Sequence, residues 1–272
     1  RLEAEPWLRE ALRAVYPVTA LAKRIYKEEN IENLAGPCAG VVDQKRTVDL
    51  SRKKLAAARG LLADSFGASG RSMVEYCDYL LEHLAPAVFD AVAATEAFGS
   101  QLQDCHQTRD FGIRFVYYPA HTQHGAPSLR CGEHLDSSTF TVIIQDAVGG
   151  LQVKVGSQWQ DLCDPALVMI GSVGEILSNQ RLRAVLHRVV DVDVGPGRLV
   201  PARVSIAVFV DADDGKPLNP HLQQGEQPLF QLGLTKSELK QKFTDDNLAK
   251  AEKLPGLQGG SRAILSAKLL ST

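Results

Sequence analysis

Between residues 111 and 210 the sequence breaks into short runs rich in Val, Ile, Phe, Tyr and Thr, punctuated by Gly, Pro or Asp every eight to twelve residues. Runs that short leave no room for ordinary helices, so the segment reads as a series of strands. They are expected at 111–118, 138–145, 150–155, 158–162, 166–171, 175–177, 185–194 and 202–210. Eight short strands suit a jelly roll or cupin-like barrel. The expected fold is therefore an all-β core with helical additions: a double-stranded β-helix flanked by N-terminal and C-terminal helices.

The flanks have a different texture. From about residue 6 to 95, Ala, Leu, Lys, Glu and Arg dominate, and apolar residues recur at spacings of three and four. Ser51 reads as the N-cap of a helix ending near Gly67, and Met73, Cys77, Leu80, Leu81 and Leu84 form one packing stripe that Pro86 interrupts. After residue 211 a polar stretch leads to a last helical pattern, where Thr235 and Glu238 make a capping box. The 272 residues are expected to form one domain, with a helical region at 1–104, a catalytic jelly-roll core at 105–212 and an extension at 213–272.

Charge and cysteine usage narrow the partners. With 30 Lys+Arg against 32 Asp+Glu and no basic stripe, binding driven by phosphate neutralisation is disfavoured, and no nucleic-acid partner is expected. No apolar run approaches the roughly 20 residues a bilayer requires, so no membrane partner is expected either. Five widely spaced cysteines without a C-x-x-C pair favour a reducing compartment. A cytoplasmic monomer is the expectation. Arg at position 1 suggests a chain trimmed at its start, which leaves a native leader open.

The chemistry concentrates in three places. His134 and Asp136 form a His-x-Asp unit just before an expected strand, where alternation puts both side chains on one side. His187 lies inside the apolar run "VLHRVV", where an imidazole needs a partner to justify burial. Two histidines and one carboxylate are a facial set for non-haem Fe(II), although a buried histidine held by one hydrogen bond would also account for His187. Farther on, Arg203 and Ser205 alternate with Val204 and Ile206, directing a guanidinium and a hydroxyl to one face. An inward Arg calls for an anion, and its planar fork suits a carboxylate. Of the remaining candidates, His121 and His124 read as solvated loop residues, His83 and His106 receive no role, and Cys131 is expected to pack rather than bind metal.

In order, "RFVYYP", "EHLDSSTFTVIIQD", "VGGLQV", "WQDL", "EILSN", "VLHRVV" and "RVSIAVF" resemble the isopenicillin N synthase-like branch of the Fe(II)/2-oxoglutarate-dependent dioxygenases, over roughly residues 111–211. The resemblance implies that His134, Asp136 and His187 are iron ligands and that Arg203, Ser205 and Tyr118 hold the distal carboxylate of 2-oxoglutarate. It also implies O2 as cosubstrate, succinate and CO2 as products, and ascorbate as a supporting reductant. The sequence departs from the family pattern at Val116, where Asn is usual, at Ser172 in the "IGD" step and at Gln180 in the "SNG" turn. No counterpart of the family's opening "PVIDL"-like strand is found.

The function implied is oxidation of an unactivated C–H in a small molecule of specialised metabolism, by hydroxylation, desaturation or oxidative cyclisation. Two other readings stand beside it: an iron oxidase of the same fold that dispenses with 2-oxoglutarate, and a non-catalytic metal-binding jelly roll. If Tyr118 faces the barrel interior, Arg114 and Val116 face it too, as do Ala207 and Phe209 by the count from Arg203. An Arg in an apolar cavity demands a counter-charge. Either an internal acid pairs with Arg114, or it awaits an anionic substrate bound between Arg114 and Phe209.

Overall fold

The computed structural model describes residues 37, 38, 41, 42, 45–109, 111–239 and 241. In chain order these contain β1 (Pro37–Cys38), β2 (Val41–Val42), β3 (Arg46–Ser51), α1 (Arg52–Tyr79), a π-helical turn (Leu80–Leu84), α2 (Ala85–Ala93), α3 (Gln101–Cys105), β4 (Gly112–Tyr118), β5 (His121–Thr122), β6 (Leu129–His134) and β7 (Phe140–Gln145). There follow β8 (Leu151–Val155), β9 (Gln158–Asp161), β10 (Ala166–Ile170), α4 (Ser172–Leu177), β11 (His187–Val190), β12 (Leu199–Val200) and β13 (Arg203–Val210). Two antiparallel sheets make the jelly roll, one in the order β10-β7-β13-β4-β3 and one in the order β6-β11-β8-β9. No helix among the described residues is long and apolar enough to cross a membrane.

Strand alternation explains where the core sits. Ile113 and Phe115 of β4, Phe140, Val142 and Ile144 of β7, and Val204, Ile206, Val208 and Val210 of β13 share the outer face of the larger sheet. Against them pack Met73, Cys77, Leu80, Leu81 and Phe89, the stripe expected from sequence with its neighbours. The opposite parity of the same strands, together with β6, β8 and β11, encloses a much smaller apolar cluster that includes Val116, Tyr118, Leu151, Val153 and Val189. The helix begun after Ser51 does stop at Gly67, whose φ of 55° and ψ of −126° break α1 into two segments. Thr235 and Glu238 form the reciprocal cap, with Glu238 N–H donating to Thr235 Oγ1 at 3.2 Å and Thr235 N–H to Glu238 Oε2 at 2.7 Å. Most of the residues expected to continue the helix beyond that cap lie outside the described residues, as does most of the region before residue 45.

Four strand expectations need correction. Residues 175–177 are helical, not extended. The first-turn N–H groups of α4 find acceptors in the loop between β6 and β7, Ser172 N–H on Asp136 O at 2.8 Å and Val173 N–H on Ser138 O at 3.2 Å, and a three-residue apolar run cannot itself distinguish the two periods. An opening strand does exist: β3 pairs with β4 in a continuous register from Arg46↔Tyr117 to Ser51↔Gly112. β6 was also absent from the expected set, so His134 ends one strand as well as preceding the expected next one, β7. The run at 185–194 is extended only over His187–Val190.

Candidate active site

His134 and His187 face each other across the β6–β11 ladder, directly in register, with ring centroids 4.2 Å apart. In both rings Nδ1 lies against a carbonyl oxygen, Gly132 O at 2.8 Å and Val185 O at 2.9 Å. A carbonyl can only accept, so each Nδ1 carries a proton, and in the neutral ring Nε2 is the nitrogen that keeps its lone pair. Asp136 stands just past the end of β6, its Oδ1 3.8 Å from His134 Nε2. Its other oxygen accepts a 2.6 Å hydrogen bond from Thr141 Oγ1, which in turn is held at 2.9 Å by the Ser138 hydroxyl. Ligating atoms of the three side chains lie within 4.8 Å of one another, and they form the one such His/Cys/Asp/Glu group among the described residues.

The electrostatics suit a cation. Burial would lift the Asp136 carboxyl, but the adjoining His187 and His134 imidazoles and the Thr141 hydroxyl hold it below its ordinary range. Burial, and then the neighbouring His134, pushes His187 down. Metal ligation requires an ionised carboxylate and neutral imidazoles, and the downward shifts of Asp136 and His187 both favour that state. Two nitrogens and one oxygen favour Fe(II), Zn(II), Ni(II) and their neighbours and leave further coordination positions open.

The triad opens on a cavity of about 340 Å³ between the sheets, lined also by Arg114, Val116, Tyr118, Arg203, Ser205 and Phe209. All side chains assigned inward by strand parity therefore share one space with the triad. Arg203, 1% exposed, donates from Nη1 to Ser205 Oγ at 3.0 Å and from Nη2 to Gln145 Oε1 at 2.7 Å, and its guanidinium lies 5.2 Å from the Tyr118 ring centroid. Its Nε has no partner among the described residues, nor does any carboxylate there pair with it. The Arg114 guanidinium stands 5.4 Å from the Phe209 ring centroid.

Several residues at the site escaped the sequence reading. Thr141 and Gln145 belong to the inward parity of β7, so the same count used for Arg203 would have found them. Thr47 reaches the cavity from the strand that was missed and Lys45 from the residue just before it, and Lys45 Nζ lies 2.9 Å from Cys131 Sγ. Cys131 is 4.0 Å from Nδ1 of His134, the nitrogen turned away from Asp136, and so packs behind the ligand set. His121 bonds Asp191 at 3.1 Å while His124 is exposed, and the two make no second metal site among the described residues. His106, given no role from sequence, is buried between Leu102 O at 2.6 Å and Thr139 Oγ1 at 2.8 Å.

Residues 110–212, which carry every one of these site residues but Lys45 and Thr47, match the sequence model of the 2OG-Fe(II) oxygenase superfamily. This core belongs to that superfamily. Among related 2OG-Fe(II) oxygenases, deacetoxyvindoline 4-hydroxylase of Catharanthus roseus is 38% identical over 144 residues, covering 50% of this chain and 33% of its own length. A homologue of 1-aminocyclopropane-1-carboxylate oxidase from Arabidopsis thaliana is 31% identical over 148 residues, covering 52% and 37%. The chain thus spans about a third of the length of these curated relatives. Over a wider span, the dioxygenase for auxin oxidation from rice shares the fold, with a TM-score of 0.60 at 22% identity over 89% of this chain and 81% of that one. The superfamily's cofactors are Fe(II), 2-oxoglutarate and O2.

Proposed function

We propose that this chain is an Fe(II)/2-oxoglutarate-dependent oxygenase that oxidises an unactivated C–H of a small, anionic metabolite, as its relatives named as hydroxylases and oxidases suggest. The observation that carries the reading is Arg203: a buried guanidinium with an orphaned Nε, on the wall of the cavity that holds the triad. Such a charge is costly unless an anion completes it.

The residues fit the cofactors. His134 and His187 would bind iron through Nε2 and Asp136 through the oxygen that Thr141 leaves free. Arg203, Ser205 and Tyr118 would hold the distal carboxylate of 2-oxoglutarate. When bound, iron and 2-oxoglutarate supply the oxidising power, and the cosubstrate leaves as succinate and CO2. The chain's own residues do the rest. Gln145 and Ser205 fix the guanidinium plane, the Gly132 and Val185 carbonyls fix the imidazole tautomers, and the Ser138–Thr141 relay fixes the carboxylate rotamer. Arg114 and Phe209 would anchor the substrate, its anionic group on the guanidinium and its body against the ring. Ascorbate would serve as a supporting reductant. Four described cysteines are free thiols, which supports action in the cytoplasm.

The deciding experiment measures succinate release with Fe(II), 2-oxoglutarate and O2 across a panel of carboxylate-bearing phenolic, terpenoid and amino-acid compounds. Turnover that needs all three components and stops in Asp136→Ala is expected. Oxygen uptake independent of 2-oxoglutarate would instead place the chain among iron oxidases of the same fold. Arg114→Ala should raise the substrate KM and leave uncoupled 2-oxoglutarate decarboxylation nearly intact, whereas a best substrate without an anionic group would overturn that anchor.

A further inference from the structure

Arg130 on β6 is 1% exposed and outside the roles assigned so far. A guanidinium in that position needs a reason, because burial alone pushes its pKa down and only a carboxylate offsets the cost. Asp191, one residue beyond β11, supplies that carboxylate, its Oδ1 3.2 Å from Arg130 Nε. The acid is itself fixed by Ser128 N–H at 3.0 Å, the Ser128 hydroxyl at 2.5 Å and His121 Nε2 at 3.1 Å. Since Arg130 Nη2 can only donate to His121 Nδ1, at 3.3 Å, that ring carries its proton on Nε2 and donates it to Asp191. The network is thus closed around the guanidinium, yet its remaining donors point elsewhere.

They point to two backbone carbonyls. Nη2 donates to Pro119 O and Nη1 to Pro201 O, the latter at 3.3 Å. Pro119 follows Tyr118, and Pro201 stands two residues before Arg203. Tyr118 and Arg203 are the last pair of the β4–β13 ladder, in direct register. Past this pair the ladder is interrupted at Pro119 and Pro201, neither of which can donate a hydrogen bond, before it resumes as β5–β12 with Val200 opposite His121. Arg130 ties the two proline carbonyls together at that interruption, from a strand of the other sheet. Its guanidinium also stands 5.5 Å from the Tyr118 ring centroid, while that of Arg203 stands 5.2 Å away, so the phenol is framed by two cations.

We propose that Arg130 is a positioning residue for the cosubstrate: without touching 2-oxoglutarate, it sets the spacing of Tyr118 and Arg203 by clamping the chain beside each. This rests on the assignment of Tyr118 and Arg203 to the distal carboxylate. It predicts a division of labour, because the clamp engages the strand ends that carry the cosubstrate residues and makes no bond to His134, Asp136 or His187.

The test is Arg130→Lys, which keeps the charge facing Asp191 and loses the fork that reaches both carbonyls. Titrations of the metal and of 2-oxoglutarate are read separately, with Arg203→Gln alongside. The expected result is metal affinity unchanged within about twofold and 2-oxoglutarate affinity weakened about tenfold, the scale of one misplaced hydrogen bond to a charged group. The KM for 2-oxoglutarate should rise in step while kcat at saturation is largely kept. Should Arg130→Lys fail to fold, Ser128→Ala loosens Asp191 more gently and should produce a smaller rise in the same constant alone. Lower thermal stability with unchanged 2-oxoglutarate affinity would overturn the proposal and leave Arg130 a structural ion pair, as would metal and cosubstrate affinities falling together. If Arg203→Gln itself left 2-oxoglutarate binding intact, the assignment of the site would fail, an outcome separate from failure of the clamp.

Discussion

Replacing Arg203 by Gln removes a buried charge whose only described partners are neutral, the Ser205 hydroxyl at 3.0 Å and the Gln145 side-chain carbonyl at 2.7 Å. The two states of the protein should respond in opposite directions. Without ligand, the substitution relieves an unpaired interior cation, so the variant should melt at or above the temperature of the native sequence. With 2-oxoglutarate present, the lost partner of a desolvated charge pair costs about 2–5 kcal/mol. At about 1.4 kcal/mol per factor of ten, affinity falls by roughly thirtyfold or more. At a cosubstrate concentration near 100 times the native Kd, binding stabilises the native protein by about 2.7 kcal/mol, and the variant by about 0.9 kcal/mol or less. With roughly 2–4 °C per kcal/mol for a protein of this size, the native melting point should rise by about 5–11 °C and that of the variant by about 4 °C at most. Anaerobic thermal melts with Fe(II), with and without 2-oxoglutarate, read both effects. An equal rise in the two proteins would refute the assignment of Arg203, and a ligand-free variant several degrees less stable would show that the guanidinium serves the fold.

Other consequences are as direct. Thr141→Val keeps the shape of the side chain and deletes the bond to Asp136, so metal affinity should fall about 10–100-fold with little change in 2-oxoglutarate affinity, as titration with Mn(II) would read. In Gly171→Ala the new Cβ would stand 2.1 Å from Ser138 O and 3.0 Å from Asp136 O; the backbone there is ordinary, so the cost is space, about 1–3 kcal/mol of stability measured by urea unfolding, with weaker metal binding. Zn(II) and Ni(II), higher in the affinity order, should occupy the triad and inhibit turnover competitively with Fe(II). Burial lowers the pKa of His106, so the unfolded chain takes up a proton there that the folded chain refuses, and stability contributed at neutral pH is lost as pH falls through about 6.5. Urea midpoints between pH 7 and 5 should fall less steeply in His106→Gln than in the native protein.

What the sequence made visible depended on how local each signal was. His134, Asp136, His187, Arg203 and Ser205 were legible because strand parity and residue type together restrict their partners, and parity alone brought Arg114 and Phe209 to the same cavity. β3 was missed because Arg46 and Asp49 interrupt its apolar residues and Ser51 gave a strong helix-start signal; its extended state comes from pairing with β4, which no local pattern encodes. The helix at 172–177 was misread because its first-turn donors are satisfied by a loop more than thirty residues earlier in the chain. Arg130 and Asp191 left no trace as a pair, since each looks like an ordinary surface charge until β6 and β11 come together.

The division of apolar side chains between the two faces of the larger sheet has an evolutionary meaning. The larger share of the aromatic and aliphatic mass lies outside the barrel, between sheet and helices, while the interior sets a smaller apolar cluster with Tyr118 and Phe209 among cations, hydroxyls and the triad. Adhesion between sheet and helices, and hence most of the energy of folding, is written in one parity of β4, β7 and β13, and chemical selectivity in the other. Neighbouring codons therefore answer to different demands. A change at Val116, Ala207 or Phe209 reshapes the chamber without touching the surface that keeps the chain folded, so new substrates can be tried one position at a time at little risk to the scaffold.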